Sequence, residues 1–403
     1  MLKYVLGLLF LSFGICAQDV SLTKLQGHIQ YLTAAELEGR ACGTPGERKA
    51  AEYIRSQLVA LGIPSLPPYS SYFQSFSVRP EHLPTHPPIA TQNVIGFINN
   101  HAPTTIILGG HYDHLGRGEW DGSMELGTRG TIHPGADDNA SGVAGLLELV
   151  KQLAHNSIQE KHNYVVVFFG AEEIGLQGSR HFVQNLPFNK SSIHCMINVD
   201  MIGRFSAERQ LLVRGMNTSQ LWSPLTAKAN QTIQLPIRSM ELGVYSSDHL
   251  PFFNQQIPIL SFSTGVHEDY HRPTDTEDKI DYFHLSKIVQ LIHNLVVGLE
   301  DSVPGHFQNP PKSAEPIMNP ALTLGFIPDY GFSDKGVKVD YVTRNRPACQ
   351  AGIQPGDVLI RLKDIPVYSV RDYLRIMSQL HQGEKIEVIL RRDDTLMALQ
   401  VAM

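Results

Sequence analysis

Four short apolar runs set the frame for this chain. Residues 105–108, 165–169, 195–199 and 257–262 are rich in Val, Ile, Leu and Phe, and each is bounded by Gly, Pro or polar residues. Runs of that length and composition read as buried strands of a parallel or mixed sheet. Elsewhere the apolar period changes. Ala50, Ala51, Ile54, Leu58 and Leu61 recur at helical spacing over residues 47–61 and stop at Gly62 and Pro64. Residues 141–153 and 285–299 read as amphipathic helices in the same way. Strands alternating with helices predict an α/β domain, with a mixed, mostly parallel sheet flanked by helices on both faces.

Open α/β sheets carry their sites just beyond the carboxyl ends of the strands. The run 105–108 is followed by Gly109-Gly110-His111-Tyr112-Asp113, and the run 165–169 by Gly170-Ala171-Glu172-Glu173. The run 195–199 delivers Asp200, and the run 257–262, after a loop, delivers Tyr270-His271. All four therefore bring metal-capable side chains to one edge. Asp138 lies in Gly135-Ala136-Asp137-Asp138-Asn139-Ala140-Ser141-Gly142, just before a helix, where a carboxylate can bridge two cations while facing the positive helix end.

His111, Asp138, Glu173, Asp200 and His271 make a set of two imidazoles and three carboxylates. Shared through Asp138, they divide over two Zn2+, give each three protein ligands and leave a position for water. A metal pair about 3.5–4 Å apart can lower the pKa of a bridging water towards 7. Glu172 and Glu173 point in opposite directions in an extended segment, so Glu172 stays free to take a proton and pass it to a leaving amine. Asp113, two residues past His111, is placed to accept the second ring N–H of that imidazole. Singly, each residue has a plainer use: Asp138 as a helix N-cap, the Glu pair as a solvated turn, either His as a structural group. Their joint placement carries the reading. His114 and His133 flank the set but match no ligand position, and His82, His86 and His306 fall in Pro-rich polar segments where solvation is expected.

In this order the motifs resemble peptidase family M28, the zinc aminopeptidases. The resemblance rests on His111-Tyr112-Asp113, Asp137-Asp138-Asn139-Ala140-Ser141-Gly142, Glu172-Glu173-Ile174-Gly175-Leu176-Gln177-Gly178-Ser179, Asn198-Val199-Asp200-Met201-Ile202-Gly203 and Tyr270-His271. Glu36-Leu37-Glu38-Gly39-Arg40 with Thr44-Pro45-Gly46-Glu47 is similar to the family's opening. It implies the zinc-peptidase, phosphorylase/hydrolase-like fold over roughly residues 20–300. One zinc would take His111, Asp138 and Asp200, and the other Asp138, Glu173 and His271. Glu172 matches the general base, and Tyr270 a residue that hydrogen-bonds the tetrahedral intermediate. Ser247-Asp248-His249 resembles a segment lining the site. A glutaminyl cyclase using one zinc, a carboxypeptidase or dipeptidase of the same family, and an inactive peptidase shell are the alternatives. The complete ligand set and Glu172 favour hydrolysis of the N-terminal peptide bond.

Residues 321–403 resemble a PDZ domain. Thr323-Leu324-Gly325-Phe326 is similar to its carboxylate-binding loop, and residues 370–380 to the helix flanking the groove. The turn at Ala351-Gly352 and Pro355-Gly356-Asp357 agrees. The resemblance implies a groove that takes a peptide C-terminus as an added strand. Residues 301–320, with Pro304, Pro310, Pro311, Pro316 and Pro320, are expected to form an extended linker, and the Pro-rich residues 64–88 a surface loop. The Gly-rich residues 114–136 are expected to loop near the cleft.

The rest of the chain sets limits. The charge of −6, from 33 Lys and Arg against 39 Asp and Glu, comes with no basic run and excludes nucleic acid as the main partner. Four Cys among 403 residues exclude a disulfide scaffold. Residues 1–17 read as a secretory signal: Lys3, an apolar stretch over 5–15 too short to span a bilayer, then Ala17 before a mature start at Gln18. The expected destination is the periplasm or the medium, with lipidation at Cys16 disfavoured by bulky Ile15. Cys42, Cys195 and Cys349 remain, an odd number that leaves at least one free thiol, and Cys195 sits in a run that would bury it.

Overall fold

Each of the four apolar runs is a strand, and all four lie side by side or one apart in a single sheet. The computed structural model describes residues 20–79, 87–120, 122–125, 127–156, 160–206, 210–240, 247–300, 306–308, 323–328, 332, 334–342, 346–393 and 395–403. The signal segment and most of the linker lie outside these residues. In chain order the first part contains α1 (Leu22–Leu32), α2 (Pro45–Ala60), β1 (Phe73–Val78), β2 (Ile89–Ile98), β3 (Thr104–His111), α3 (Gly142–Ala154), β4 (His162–Phe169), α4 (Gln177–Gln184), β5 (Ile193–Val199), β6 (Leu211–Arg214), α5 (Trp222–Ala229), β7 (Ile237–Met240), α6 (His249–Asn254), β8 (Ile259–Ser263) and α7 (Tyr282–Leu299).

The sheet runs β1-β2-β4-β3-β5-β8-β6-β7. At its centre β3 pairs parallel with β4 and β5, and β5 pairs parallel with β8. Pairing turns antiparallel towards the edges, at β1–β2, β2–β4 and β6–β8. Every residue of β4 and β5 is buried, as strands covered on both faces require. One face carries a core of Leu25, Ile54, Leu58, Leu146, Val150, Ile292 and their neighbours from α1, α2, α3 and α7. The other packs Ile107, Val165, Phe169 and Met196 against Phe182 of α4 and Phe252 of α6. None of the described helices is long and apolar enough to cross a membrane.

The Pro-rich stretch is not merely a loop. It contains β1, an edge strand that pairs with β2; β1 shows no apolar run, whereas β2 ends in one, residues 94–98, that is not among the four runs read as strands. Both carry polar side chains that the fold buries and pairs: Asn93 donates to Gln74 Oε1 at 2.8 Å and to the Gly178 carbonyl at 2.9 Å. In the linker, residues 306–308 lie against the peptidase domain: the Phe307 and Phe253 rings are 5.7 Å apart and the Gln308 N–H donates to the Thr218 carbonyl at 2.9 Å.

The second part has its own sheet and its own core. Its elements are β9 (Phe326–Pro328), β10 (Val337–Val342), α8 (Pro347–Gln350), β11 (Val358–Leu362), β12 (Ile365–Pro366), α9 (Val370–Met377), β13 (Lys385–Arg392) and β14 (Thr395–Ala402), with sheet order β14-β13-β11-β10-β9 and β12 on β11. Leu324, Val339, Leu359, Tyr373, Ile376, Val388 and Leu390 fill the interior. The flanking helix α9 ends at Met377, earlier than residue 380. Cys42 and Cys195 are buried and Cys349 is exposed, and none is in a disulfide.

Candidate metal centre

The carboxyl ends of the central strands converge. His111 is the last residue of β3, and Asp200 follows β5 directly. After β4 the chain turns at Ala171, whose φ of 60° is left-handed, so Glu172 and Glu173 stand in a tight turn rather than an extended segment. Asp138 is not at the immediate start of a helix either. It sits in a kinked turn with φ −101° and ψ 94°, joined to Asn139 by a cis peptide, and α3 begins only at Gly142.

His111 Nε2 lies 3.2 Å from Asp138 Oδ1 and 3.3 Å from Asp200 Oδ1. His271 Nε2 lies 3.1 Å from Asp138 Oδ2 and 3.2 Å from Glu173 Oε2. The Asp138 carboxylate thus has one oxygen towards each imidazole. Four donors at the corners of a tetrahedron with bonds of about 2.0 Å stand about 3.3 Å apart, and each of these four imidazole–carboxylate pairs has that spacing. Among the described residues, His111, Asp138 and Asp200 form one group able to hold a metal ion, His114, Asp138 and Glu173 a second, and His111, Glu172 and Glu173 a third. Buried Asp200 Oδ2 has no hydrogen-bond partner among the described residues. Burial opposes charge on His111 and His271, yet Glu172 and Asp200 hold the first, and Glu173 and Asp138 the second, well above the usual imidazole range. The residues fit a pair of zinc ions.

Glu172 is pushed well above the usual carboxylate range by burial, with His111 opposing and Glu173 and Asp248 reinforcing. Burial acts on Glu173 in the same sense, but His271 overrides it and holds the carboxyl at about 2. Two adjacent glutamates thus differ in their readiness to keep a proton. Asp248 is buried beside Ser179 and faces His111, and burial pushes it up to about 7. The Tyr270 ring stacks on His271 at 3.9 Å.

Asp113 does a different task from the one its spacing suggests. His111 Nδ1 bonds the Asp113 backbone carbonyl at 3.1 Å, and the carboxylate is 3.9 Å away. The carboxylate instead accepts the Glu172 N–H at 3.0 Å and the Glu173 N–H at 3.4 Å, so it shapes the glutamate turn. Burial pushes its pKa up to about 6.

Several supporting residues were silent in the sequence. Asp275 accepts the backbone N–H groups of Asp137 and Asp138 at 3.0 and 3.1 Å. Asp137 binds His267 Nε2 at 3.1 Å and accepts the Gly203 N–H at 2.6 Å. The Asn139 amide donates to the carbonyls of His111 and Val199 and accepts from Met201 and Gly142, tying the ends of β3 and β5 to the start of α3. Fully buried Arg40 donates to the backbone carbonyls of Leu32, Tyr112, Pro134 and Gly135. The Gly-rich loop reaches the centre as expected: His271 Nδ1 bonds the Gly122 carbonyl at 3.0 Å, and Met124 N donates to the His271 carbonyl. His133 belongs to this loop, through Ser123 Oγ at 2.8 Å. His114 touches the metal centre itself, 2.8 Å from Glu173, a contact its sequence position concealed.

Comparison with known proteins bears on the family and the fold. The model of "Peptidase family M28" matches residues 93–296, and that of the "PDZ domain" residues 320–403. Leupeptin-inactivating enzyme 1 of Streptomyces exfoliatus is 26% identical over 253 residues, covering 62% of this chain and 50% of its own. Aminopeptidase YwaD of Bacillus subtilis is 28% identical over 217 residues, covering 50% and 43%. The chain thus spans about half or less of the length of these relatives. Among solved structures, a Zn-dependent exopeptidase from Parabacteroides distasonis superposes with a TM-score of 0.59 at 17% identity, over 71% of this chain and all of that one. Glutaminyl cyclase from Porphyromonas gingivalis does so with a TM-score of 0.57 at 18%, over 69% and 99%. At such identities the likeness is one of fold.

Proposed function

The chain belongs to peptidase family M28, and on that premise we propose that it is an exported zinc aminopeptidase that hydrolyses the N-terminal bond of peptides. The carrying observation is the Asp138 carboxylate held between His111 and His271 with one oxygen to each. His111, Asp138 and Asp200 would hold one zinc, and Asp138, Glu173 and His271 the other, and such a pair would supply polarisation of the scissile carbonyl and a more acidic water.

The chain's own groups do the rest. Glu172, next to ligand Glu173 but outside both triplets, takes the proton from the attacking water and gives it to the leaving amine. Its buried setting keeps the carboxyl proton-avid, as that shuttle requires. Tyr270, stacked on His271, offers its hydroxyl to the developing oxyanion. The Asp113 carboxylate keeps both glutamates in register.

The glutaminyl cyclase likeness supports a second reading, a single-zinc acyl transfer. Digestion of an end-labelled peptide library, read by mass spectrometry, separates the two. Stepwise loss of N-terminal residues supports the aminopeptidase. Release of C-terminal residues would assign the carboxypeptidase reading, and cyclisation of N-terminal Gln the transferase. The PDZ domain takes peptide C-termini and so raises the local concentration of longer substrates. In its loop, Leu324 N–H is engaged by Tyr373 Oη at 3.2 Å, a contact that an incoming carboxylate shares or replaces.

A further inference from the structure

His114 is 1% exposed and lies outside the two ligand sets of the proposed function, although with Asp138 and Glu173 it forms a group that could itself hold a metal ion. Its Nδ1 is 2.8 Å from Glu173 Oε1 and 3.8 Å from Asp138 Oδ2. The shorter contact has the length of a hydrogen bond. An ionised carboxylate only accepts, so Nδ1 carries the proton and donates. The other Glu173 oxygen, Oε2, is the one 3.2 Å from His271 Nε2. The two oxygens are therefore divided, one towards His114 and one towards His271.

The ring is fixed from several sides. It packs edge-on to His271, with centroids 5.8 Å apart and planes at 75°. Its backbone N–H donates to the Arg40 carbonyl at 3.3 Å. Gly135, in the left-handed region at φ 59°, leaves it room: a Cβ there would lie 2.5 Å from His114 Cδ2. Buried Nε2 has no hydrogen-bond partner among the described residues, and none of these competes to turn the ring.

We infer that His114 is a positioning residue that holds Glu173 by Oε1, makes it bind through Oε2 alone, and thereby sets the zinc affinity of the second site. The inference rests on the two-zinc reading above. Partners that orient a metal ligand are worth roughly 10–100-fold in metal affinity.

The test is a zinc titration of the metal-free full chain, followed by calorimetry, for wild type, His114→Phe and His114→Asn. Phe keeps the ring and removes the donor. Asn presents an amide N–H about where Nδ1 stands. The expected result is one zinc bound as in wild type and the second roughly 10–100-fold weaker in H114F, with most of the loss recovered in H114N. Circular dichroism of the metal-free variants checks the fold, and H114A replaces H114F if the latter does not fold. Unchanged second-site affinity in H114F overturns the inference. So does equal weakening of both sites, or equal loss in H114F and H114N, which would make His114 a ligand or mere packing. A wild-type chain that takes a single zinc fails the two-zinc reading first, and this inference with it.

Discussion

The central strands carry histidines at both ends, and the two ends behave oppositely. At the carboxyl ends, His111 lies within 3.3 Å of Asp138 and Asp200 and His271 within 3.3 Å of Asp138 and Glu173, and the carboxylates around them raise both imidazoles against the effect of burial. At the amino ends, the rings of His162 of β4 and His194 of β5 pack tilted at 49° with centroids 4.6 Å apart, and His162 Nδ1 lies 2.7 Å from the Thr104 hydroxyl. Burial prevails there: it lowers His162, and it lowers His194 to about 4 with His162 adding to the effect. Buried imidazole alone therefore says little. Carboxylates converging from other strands turn it into a candidate metal ligand.

The difference can be broken by mutation, and the largest effect lies at the carboxyl ends. Glu172→Gln should retain both zincs and lower kcat by roughly 10^2–10^4-fold, because only the proton shuttle is lost. Full peptidase activity in this variant would refute the mechanism. Next come the groups that act through a ligand. Asp113→Asn and Asp275→Asn should each weaken zinc binding by roughly 10–100-fold while circular dichroism stays native-like. At the amino ends, His194→Gln should leave zinc content and kcat unchanged and shift stability by about 1 kcal/mol, read in urea unfolding. Zinc lost from this variant would erase the distinction between the two ends.

The smallest effect concerns pH. Glu47, in α2, accepts from Thr91 Oγ1 and from the Gly43 N–H, and burial pushes its carboxyl from 4.5 up to about 8. Between those values the folded chain holds a proton that the unfolded chain has lost. Its contribution is thus present below pH 4.5 and is lost as pH rises to 8. Glu47→Gln should flatten the fall in stability of the metal-free protein over that window, measured by urea unfolding at each pH.

The five proposed ligands were legible because His111 ends β3 and Asp200 follows β5 directly, while Glu173 stands in the turn after β4, Asp138 in the turn before α3 and His271 in the loop after β8. The strands that hold them were legible as continuous apolar runs. What was not legible depends on contacts across long sequence separations. Asp113 looks like a partner of His111, two residues away, but its carboxylate belongs to Glu172 and Glu173, about sixty residues on. Asp275 acts on Asp137 and Asp138 through backbone N–H groups, which leave no side-chain pattern. His114 sits three residues past His111, and only the turn after β4 brings Glu173 to it. β1 and the first half of β2 escaped because their buried positions include Gln74, Thr91 and Asn93, polar residues satisfied by one another or by distant groups, whereas residues 94–98 of β2 form an apolar run that was legible and not singled out. The abundance of His, 18 in all, pointed nowhere by itself.

The central claim is a pair of metal ions bridged by one carboxylate. Native mass spectrometry of the zinc-loaded full chain tests it most directly, with Asp138→Ala measured alongside. The account predicts two zincs per wild-type chain and the loss of both in the variant. One zinc per wild-type chain, or a variant that keeps both, would contradict it.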